Sequence, residues 1–193
     1  IVVFSSGSTG RPKAIVNRLS SFALNGIALK EALGLVPDDR LFVPVPFIHV
    51  FGVVGMLATL VSCATFVSSE KYHSRIACQL IAGQRATVHL GVSTMFVREL
   101  RENQDDEWDF SSLRAGLVAG AGCPASVIVD FERRFGCRIM QSYGMSETAA
   151  TLTVTPLDLP AERRAATAGF CIKGSEAKLD PDSGELLCKS ASM

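Results

Sequence analysis

Short apolar runs alternate with amphipathic stretches through residues 1–141, and this alternation constrains the fold more than any other feature of the sequence. The apolar runs predict strands at residues 1–4, 14–17, 41–45, 64–67, 86–90, 113–119 and 137–141. The stretches between them predict helices at residues 19–33, 47–62, 74–82, 93–103 and 124–135. Strands that alternate with helices favour an α/β fold, in which a largely parallel sheet is flanked by helices.

The sequence pattern changes after residue 147. The segments that follow predict a strand, a loop, a strand, a hairpin turn and a return strand, at residues 151–155, 156–164, 169–179, 180–184 and 185–189. We therefore predict an α/β core at residues 1–155. Residues 156–193 are predicted as a small antiparallel β extension of the same domain.

The composition excludes several classes of protein. Of the 193 residues, 48% are hydrophobic and 20% are charged, which is typical of a globular protein rather than a disordered one. Nineteen cationic residues balance nineteen anionic ones, which argues against a binder of nucleic acids or anionic membranes that works through bulk charge. The six cysteines form no Cys-x-x-Cys pair and the three histidines form no metal-ligand cluster with them. We interpret the cysteines as reduced and the protein as cytoplasmic.

Residues 50–67 carry no charge, so a transmembrane helix has to be considered. Two glycines and the hydroxyl side chains of Thr59, Ser62 and Thr65 dilute the run. The run also lies at the lower length limit for spanning a bilayer. We predict a buried helix followed by a strand, and no integral membrane segment.

Residues 5–13 combine hydroxyl side chains, two glycines and two cations directly after the first apolar run. They are Ser5, Ser6, Gly7, Ser8, Thr9, Gly10, Arg11, Pro12 and Lys13. Glycines permit backbone angles closed to other residues, so that N–H groups can point at an anion, and the hydroxyls and cations add donors and positive charge. We interpret the segment as a flap that binds a nucleotide polyphosphate, against the alternative of a solvated linker.

The segment differs from the common phosphate-binding loop of NTPases. That loop needs glycine, four residues and then Gly-Lys-Ser/Thr, whereas Gly7 and Gly10 are three positions apart and Ala14 stands where the hydroxyl would be. Pro12 has no N–H to donate and disfavours a helical residue before it. The spacing therefore argues against a phosphate-loop NTPase or kinase, which is the remaining alternative for this segment.

Two further segments follow predicted strands, and in open parallel sheets ligands bind at the carboxyl ends of strands. Residues 44–52 contain His49, which either borders a substrate pocket or is a hydrogen-bonded core histidine. A turn of small residues either lets a flat ring or a phosphate approach the backbone or is an ordinary turn before a helix. This turn contains Gly120, Ala121, Gly122 and Cys123. An alternative is a nucleophilic Cys123, and the lack of a histidine near it in the sequence argues against this role.

A third segment, after the strand predicted at 137–141, offers an aromatic ring, a glycine, a hydroxyl and a carboxylate. It contains Ser142, Tyr143, Gly144, Met145, Ser146 and Glu147. Tyr143 could stack on a base, Ser146 could bind a phosphate oxygen, and Glu147 could hold Mg²⁺, which takes oxygen ligands. The alternative for Glu147 is a carboxylate that only stabilises the N-terminus of a helix.

Five segments in this order resemble the ordered motifs of the adenylate-forming superfamily, which contains acyl- and aryl-CoA synthetases, peptide-synthetase adenylation domains and luciferases. They are residues 5–13, 46–52, 91–95, 143–147 and 184–186, which read SSGSTGRPK, PFIHVFG, GVSTM, YGMSE and GEL. The segments extend over nearly the whole chain. Residues 91–95 and Met145 are more similar to the acyl- or aryl-CoA synthetases than to the amino-acid adenylation domains.

The resemblance implies a two-step reaction with ATP, Mg²⁺ and coenzyme A. A small-molecule carboxylic acid, fatty or aromatic, is activated to an acyl-adenylate and then transferred to the thiol of coenzyme A. The implied catalytic residues are His49, Lys13, Ser146 and Glu147, with Glu147 as the metal ligand. The implied cofactor-binding residues are Ser6, Gly7, Ser8, Thr9, Gly10, Lys13, Gly120, Ala121, Gly122, Cys123, Ser142, Tyr143, Gly144, Met145 and Ser146.

The chain departs from the pattern of the superfamily in several places. Ala14 replaces the usual glycine after the lysine, Ser93 replaces the usual proline, and Ser146 replaces the usual threonine but keeps the hydroxyl. The ribose-binding aspartate, the hinge and the small C-terminal domain with the catalytic lysine have no counterpart here. We expect a fragment of the large N-terminal domain, whose partner is the missing C-terminal domain. The alternative is a truncated nucleotide-binding module without catalytic activity.

Overall fold

The computed structural model describes residues 1–5 and 12–191 of the chain. Within these ranges the helices are α1 (Leu19–Leu33), α2 (Val50–Val61), α3 (Ser74–Gly83), α4 (Ser93–Glu102), α5 (Ala125–Phe135) and α6 (Ala161–Ala165). The first seven strands are β1 (Val2–Ser5), β2 (Lys13–Val16), β3 (Arg40–Phe42), β4 (Thr65–Val67), β5 (Val88–Gly91), β6 (Ala115–Val118) and β7 (Arg138–Tyr143). They are followed by β8 (Thr153–Val154), β9 (Phe170–Cys171), β10 (Ser175–Leu179) and β11 (Leu186–Ser190).

The central sheet of the described part has seven strands in the order β4-β3-β5-β6-β7-β8-β9. Neighbours from β4 to β7 pair in parallel, whereas β8 and β9 are antiparallel additions at one edge. Two separate antiparallel hairpins are formed by β1 with β2 and by β10 with β11. The predicted α/β fold, with a largely parallel sheet and a small antiparallel part near the C-terminal end, is confirmed.

Helices cover both faces of the sheet, because its strands are apolar on both sides. In β3, Leu41 packs into one core together with Phe22 of α1, while the next residue, Phe42, packs into a second core with Ile81 of α3 and Phe131 of α5. Successive side chains of a strand point to opposite faces, so a strand buried on both sides is mostly apolar on both of them. The first core lies between the sheet and the helices α1 and α2, and the second between the sheet and the helices α3 to α5.

The chain reverses its direction across the sheet at β4. From β3 the chain passes through α2 to β4, the outermost strand on one side of the sheet. It then passes through α3, α4 and α5 to β5, β6 and β7, each of which lies farther toward the opposite side. Because crossovers between parallel strands are right-handed, opposite directions place α2 on one face and α3 to α5 on the other. The loops after β3 and β5 therefore part at the carboxyl edge, which is where open α/β sheets hold their ligands.

The uncharged run at residues 50–67 folds into α2 followed by β4, as predicted. The helix begins at Val50 rather than at residue 47, and in the turn before it the backbone N–H of His49 donates to the carbonyl oxygen of Pro46 (3.0 Å). Among the residues that the structure describes, no helix has both the length and the apolar character needed to cross a membrane.

Two boundaries near the C-terminal end differ from the sequence prediction. The prediction of a loop over residues 156–164 is wrong, because α6 begins directly after Pro160, whose extended backbone precedes the first helical residue. The strand predicted over residues 169–179 is divided into β9 and β10. Gly174 lies between them with a φ of 80°, which no extended strand residue adopts.

An ion pair between Asp39 and Arg114 ties the amino edge of the sheet to the end of α1. Two nitrogens of Arg114 donate to the two carboxylate oxygens of Asp39 (2.9 and 2.6 Å), and the hydroxyl of Thr87 donates to one of them (2.6 Å). Arg114 also donates to the carbonyl oxygens of residues 33 and 34 at the C-terminus of α1 (3.0 and 3.1 Å). Burial opposes ionisation of Asp39, but the hydrogen bonds from Arg114 and Thr87 outweigh it and hold the pKa of this carboxyl below its usual range.

We expect Asp39→Asn to lower the free energy of unfolding by about 1–3 kcal/mol at neutral pH, because a buried charge-assisted network loses its acceptor charge. The lowered pKa means that the contribution of Asp39 is complete above its unfolded pKa of about 4 and is lost as the pH falls through the folded pKa. Urea unfolding at several pH values measures both effects.

The matched control is Asp130→Asn, which removes an exposed carboxylate paired with Arg133 (side chains 77% and 52% exposed for Arg133 and Asp130). We expect this change to alter the free energy of unfolding by less than about 1 kcal/mol. Equal losses for the two variants would contradict a special role for Asp39.

Candidate functional site

Two cavities open at the carboxyl edge of the sheet. The first, which we call the glycine-loop cavity, has a volume of about 440 Å³ and is bounded by residues 120–122, 141–144 and 165–168. The second, which we call the apolar cavity, has a volume of about 360 Å³. It is lined by Phe4, Val45, Ile48, His49, Val50, Phe51, Val92, Ala119, Gly120, Ser142, Gly144, Met145, Ser146, Ala150 and Thr151.

The two cavities meet at a common wall. Gly120, Ser142 and Gly144 line both of them. These residues come from the ends of β6 and β7, which are neighbours in the sheet. Two molecules bound side by side, one in each cavity, would therefore face each other across residues with small side chains.

The turn after β6 brings backbone close to the glycine-loop cavity. Gly120 has a φ of 82°, in the left-handed region that favours glycine. A Cβ atom at Gly122 would meet no neighbouring atom within 4 Å, so this position borders open space. Gly120, Ala121 and Gly122 all line the cavity, as their segment predicts for a turn that a flat ring can approach.

Cys123 lies behind this turn and lines neither cavity. Its side chain is buried, and its backbone N–H donates to Oε1 of Gln141 (2.7 Å). Burial raises the pKa of the Cys123 thiol above its usual range, against the effect of a hydrogen bond with Ser93. A buried thiol that resists ionisation is a poor nucleophile, so the structure does not support the nucleophile alternative.

Gln141 and residues 165–168 complete the glycine-loop cavity but were not predicted from the sequence. Gln141 bridges two parts of its wall, because it accepts from Cys123 and donates from Nε2 to the carbonyl oxygen of Arg164 (2.7 Å). A single polar side chain at the end of an apolar strand was a signal that could have identified Gln141. Residues 165–168 had no such signal, since their position depends on the distant ion pair between the buried Arg164 and Glu132.

Tyr143 is 38% exposed and borders the glycine-loop cavity at the end of β7. Its partner in the antiparallel pairing is Thr153 of β8, which holds the backbone of Tyr143 in the sheet. An exposed aromatic ring on a fixed backbone can stack on a flat ligand.

The segment after Tyr143 folds back sharply on itself. A Cβ atom at Gly144 would lie 1.4 Å from the carbonyl oxygen of Ala150, so only glycine fits. Ala149 and Ala150 have φ values of 53° and 102°, which are strained for residues other than glycine. The backbone N–H of Thr148 donates to the carbonyl oxygen of Met145 (3.2 Å) in a 3₁₀ turn over Ser146–Thr148, and the backbone N–H of Met145 donates to Oγ1 of Thr148 (3.1 Å) and caps this turn. We call residues 144–151 the return loop.

Ser146 and Glu147 occupy this turn in different environments. Ser146 is half-buried and lines the apolar cavity. The side chain of Glu147 is exposed and makes no hydrogen bond or ion pair with any residue that the structure describes.

The β1–β2 hairpin lies against the return loop. Nδ2 of Asn17, directly after β2, donates to the carbonyl oxygen of Ser146 (3.0 Å). The pairing register places the exposed Lys13 opposite Ser5 at the end of the hairpin, and Phe4 of β1 lines the apolar cavity. The strands predicted at residues 1–4 and 14–17 pair with each other in antiparallel orientation. Ser6, Gly7, Ser8, Thr9 and Gly10 lie outside the described residues.

His49 is exposed and lines the apolar cavity just before α2. This position does not fit the alternative of a buried core histidine. The neighbouring Ile48 is 74% exposed and also lines the cavity, so the turn forms one side of its mouth.

Neither cavity has an aspartate, glutamate, lysine or arginine among its described lining residues. Lys13 and Glu147 lie on elements next to the cavities rather than in their walls. The arrangement suits a flat polar molecule in the glycine-loop cavity and an apolar molecule in the apolar cavity, with charged parts at the rim.

Comparisons with known proteins show which proteins the chain is similar to. The chain is 32% identical over 178 residues to the putative acyl-CoA synthetase YngI of Bacillus subtilis, covering 91% of this chain and 32% of that protein. It is 30% identical over 193 residues to the mitochondrial medium-chain acyl-CoA ligase ACSF2 of Danio rerio, covering 96% of this chain and 32% of that protein.

A solved structure has the same fold. The O-succinylbenzoate coenzyme A synthetase (MenE) from Bacillus subtilis, in complex with ATP and magnesium ion, superimposes with a TM-score of 0.85 at 22% sequence identity. The match covers 98% of this chain and 40% of that one.

The chain spans about a third of the length of the curated relatives that it matches. The sequence model of the AMP-binding enzyme family matches residues 1–192 of the 193 residues given. The chain belongs to the AMP-binding enzyme family.

Proposed function

We propose that this chain forms the adenylating part of an acyl-CoA synthetase, which activates a carboxylic acid with ATP and passes the acyl group to coenzyme A. The observation that carries the proposal is the common wall of the two cavities. An adenylating enzyme must hold a nucleotide and an acid side by side, with the carboxylate close to the α-phosphorus. The relatives named as acyl-CoA synthetases and ligases support the same reaction class.

The glycine-loop cavity takes the adenine in this proposal. Tyr143 stacks on one side of the ring, and Gly120, Ala121 and Gly122 let it approach the backbone closely. The amide of Gln141 lies in the same wall and fixes the turn after β6 through Cys123. The polyphosphate then extends along the common wall toward the β1–β2 hairpin.

The apolar cavity takes the acid. Its carboxylate points to the common wall, and His49 stands at the mouth, where it borders the bound acid. A carboxylate oxygen attacks the α-phosphorus, the bond between this phosphorus and the bridging oxygen breaks, and pyrophosphate leaves with the electron pair. In the second step the thiolate of coenzyme A attacks the acyl carbon and AMP leaves.

The phosphate contacts fall to residues around the hairpin. Lys13 supplies a positive charge, Ser8 and Thr9 supply hydroxyl donors, and Ser146 reaches the α-phosphate from the return loop. Adenylation demands charge neutralisation and positioning more than proton transfer, so donors and cations suit it.

Glu147 fits the role of the Mg²⁺ ligand, because its carboxylate is exposed and makes no contact with a described cation. Mg²⁺ is usually bound through one or two carboxylates, substrate phosphates and waters, so one free carboxylate at the rim suffices. When bound, the ion would neutralise the charge of the phosphates.

The described wall of the apolar cavity limits the class of acid. Apart from His49, none of its described side chains titrates, and most are aliphatic or aromatic. A second carboxylate on the acid would lose its hydration there without gaining a partner. We therefore propose a monocarboxylic acid with an apolar body, fatty or aromatic.

A catalytically incompetent nucleotide-binding module is the second candidate. The walls of the two cavities favour it, because none of their described lining residues is an aspartate, glutamate, lysine or arginine, whereas adenylation demands charge neutralisation. ATP–pyrophosphate exchange with a panel of acids separates the candidates. Acid-dependent exchange supports the ligase, nucleotide binding without exchange supports the module, and acid-independent release of phosphate contradicts both.

We expect Glu147→Gln to reduce the Mg²⁺-dependent exchange rate at least about tenfold, because the amide is a weaker ligand for a hard cation. The exchange rate as a function of Mg²⁺ concentration measures this effect. Glu176→Gln, which changes an exposed carboxylate of β10, is the control and should leave the rate unchanged. An unaltered Mg²⁺ dependence in Glu147→Gln would remove Glu147 from the metal role.

We expect octanoate to support exchange at least about tenfold better than octanedioate, which has the same chain length and a second carboxylate. The physical reason is the cost of placing an unpaired charge in the apolar cavity. Initial exchange rates at equal acid concentrations measure the difference. A preference for the diacid would contradict the assignment of the apolar cavity to the acid body.

A further inference from the structure

Asn25 is a fully buried polar residue in the middle of α1, a helix that contributes no residue to the lining of either cavity. Its Nδ2 donates to the carbonyl oxygens of Thr148 (3.3 Å) and Thr151 (2.7 Å). Its Oδ1 accepts from the backbone N–H of Thr151 (3.2 Å). The one amide therefore binds three backbone groups of the return loop.

These three backbone groups flank the strained part of the loop. Ala149 and Ala150, with their positive φ values, lie between Thr148 and Thr151. Such backbone persists only where the surroundings hold it, because each residue of this kind costs free energy. Asn25 holds both ends of the strained pair, and a buried backbone group that loses its partner adds a further cost.

The loop passes this constraint on to the site. The carbonyl oxygen of Ala150 fits against Gly144 with no room for a Cβ atom, so the two strands of the loop are packed in contact. Gly144 lines both cavities, and Ser146, Ala150 and Thr151 line the apolar one. A shift at Thr148–Thr151 must therefore move the common wall.

We infer that Asn25 is a positioning residue for the candidate site. It touches no ligand, and it fixes the return loop in the arrangement that places Gly144 and Ser146 at the wall and Glu147 at the rim. The inference rests on the proposed function for the identity of the ligand, because the affinity for the nucleotide is the quantity that reports whether the loop is in place.

Asn103 provides a matched comparison on the other side of the fold. It is equally buried, its Nδ2 donates to the carbonyl oxygen of Trp108 and its Oδ1 accepts from the backbone N–H of Trp108 (2.9 Å each). The two asparagines thus clamp loops with the same chemistry. Neither Asn103 nor Trp108 lines either cavity.

The experiment compares Asn25→Asp with Asn103→Asp. Aspartate keeps the shape and one acceptor of asparagine but replaces the donor with an oxygen, which in the first variant faces the carbonyl oxygens of Thr148 and Thr151. Asn25→Ala and Asn103→Ala repeat the comparison without a new charge, in case an aspartate variant does not fold. Each variant is measured for thermal stability, for hydrogen exchange of backbone amides in residues 144–152, and for AMP binding by calorimetry.

We expect both asparagine changes to lower the thermal stability, but only those at Asn25 to speed exchange in residues 144–152 and to weaken AMP binding. If the return loop keeps its arrangement in about a tenth of the molecules, the apparent affinity falls about tenfold. Lowering the pH should restore part of the affinity of Asn25→Asp relative to the unaltered chain, because the protonated carboxyl regains a donor.

The outcomes separate the inference from the proposed function. Unchanged AMP affinity or unchanged exchange in folded Asn25 variants would overturn the inference, as would an equal loss of affinity in the Asn103 variants. If the unaltered chain binds no AMP, the proposed function fails. The exchange of residues 144–152 then decides alone whether Asn25 positions the loop.

Discussion

The contact between Gly144 and the carbonyl oxygen of Ala150 is the constraint on which the candidate site depends. Because no side chain separates the two, the chain can leave β7, form a 3₁₀ turn and return within a few residues. This return places residues from both ends of the loop on one wall, and the wall joins the two cavities. The strain at Ala149 and Ala150 follows from this contact, and so does the need for a clamp such as Asn25.

The sheet supplies the frame for this wall. Since the chain reverses direction at β4, the loops after β3 and β5 part, while β6 and β7 end side by side. The loops that follow these strands carry His49, Val92, Gly120 and the return loop, so residues far apart in the sequence meet at one edge. The opposite edge has no part in either cavity and carries the Asp39–Arg114 ion pair, which supports the fold.

Local patterns made the helices and strands of the α/β core predictable, and the composition of the loops identified the segments that gather at the carboxyl edge. Long-range contacts were not predictable. Gln141 and Asn25 act on backbone groups up to 126 positions away, and nothing in their own segments shows such a partner. Ala149 and Ala150 carry no sign of left-handed backbone either, because alanine ordinarily favours helices. The short helix α6 was missed because five residues give too little periodicity.

Two of the contacts between the helix α1 and other parts of the chain lie at its C-terminal end and near its middle. Arg114 binds the carbonyl oxygens at its C-terminal end, and Asn25 binds the return loop about 12 Å earlier along the helix axis. The helix thus connects the amino ends of the strands, where Arg114 lies, with the carboxyl ends, where the return loop lies. When segments are exchanged among members of this family, α1 and the return loop must consequently be exchanged together. A hybrid protein that takes only one of them would combine the residue at position 25 with a return loop that does not match it.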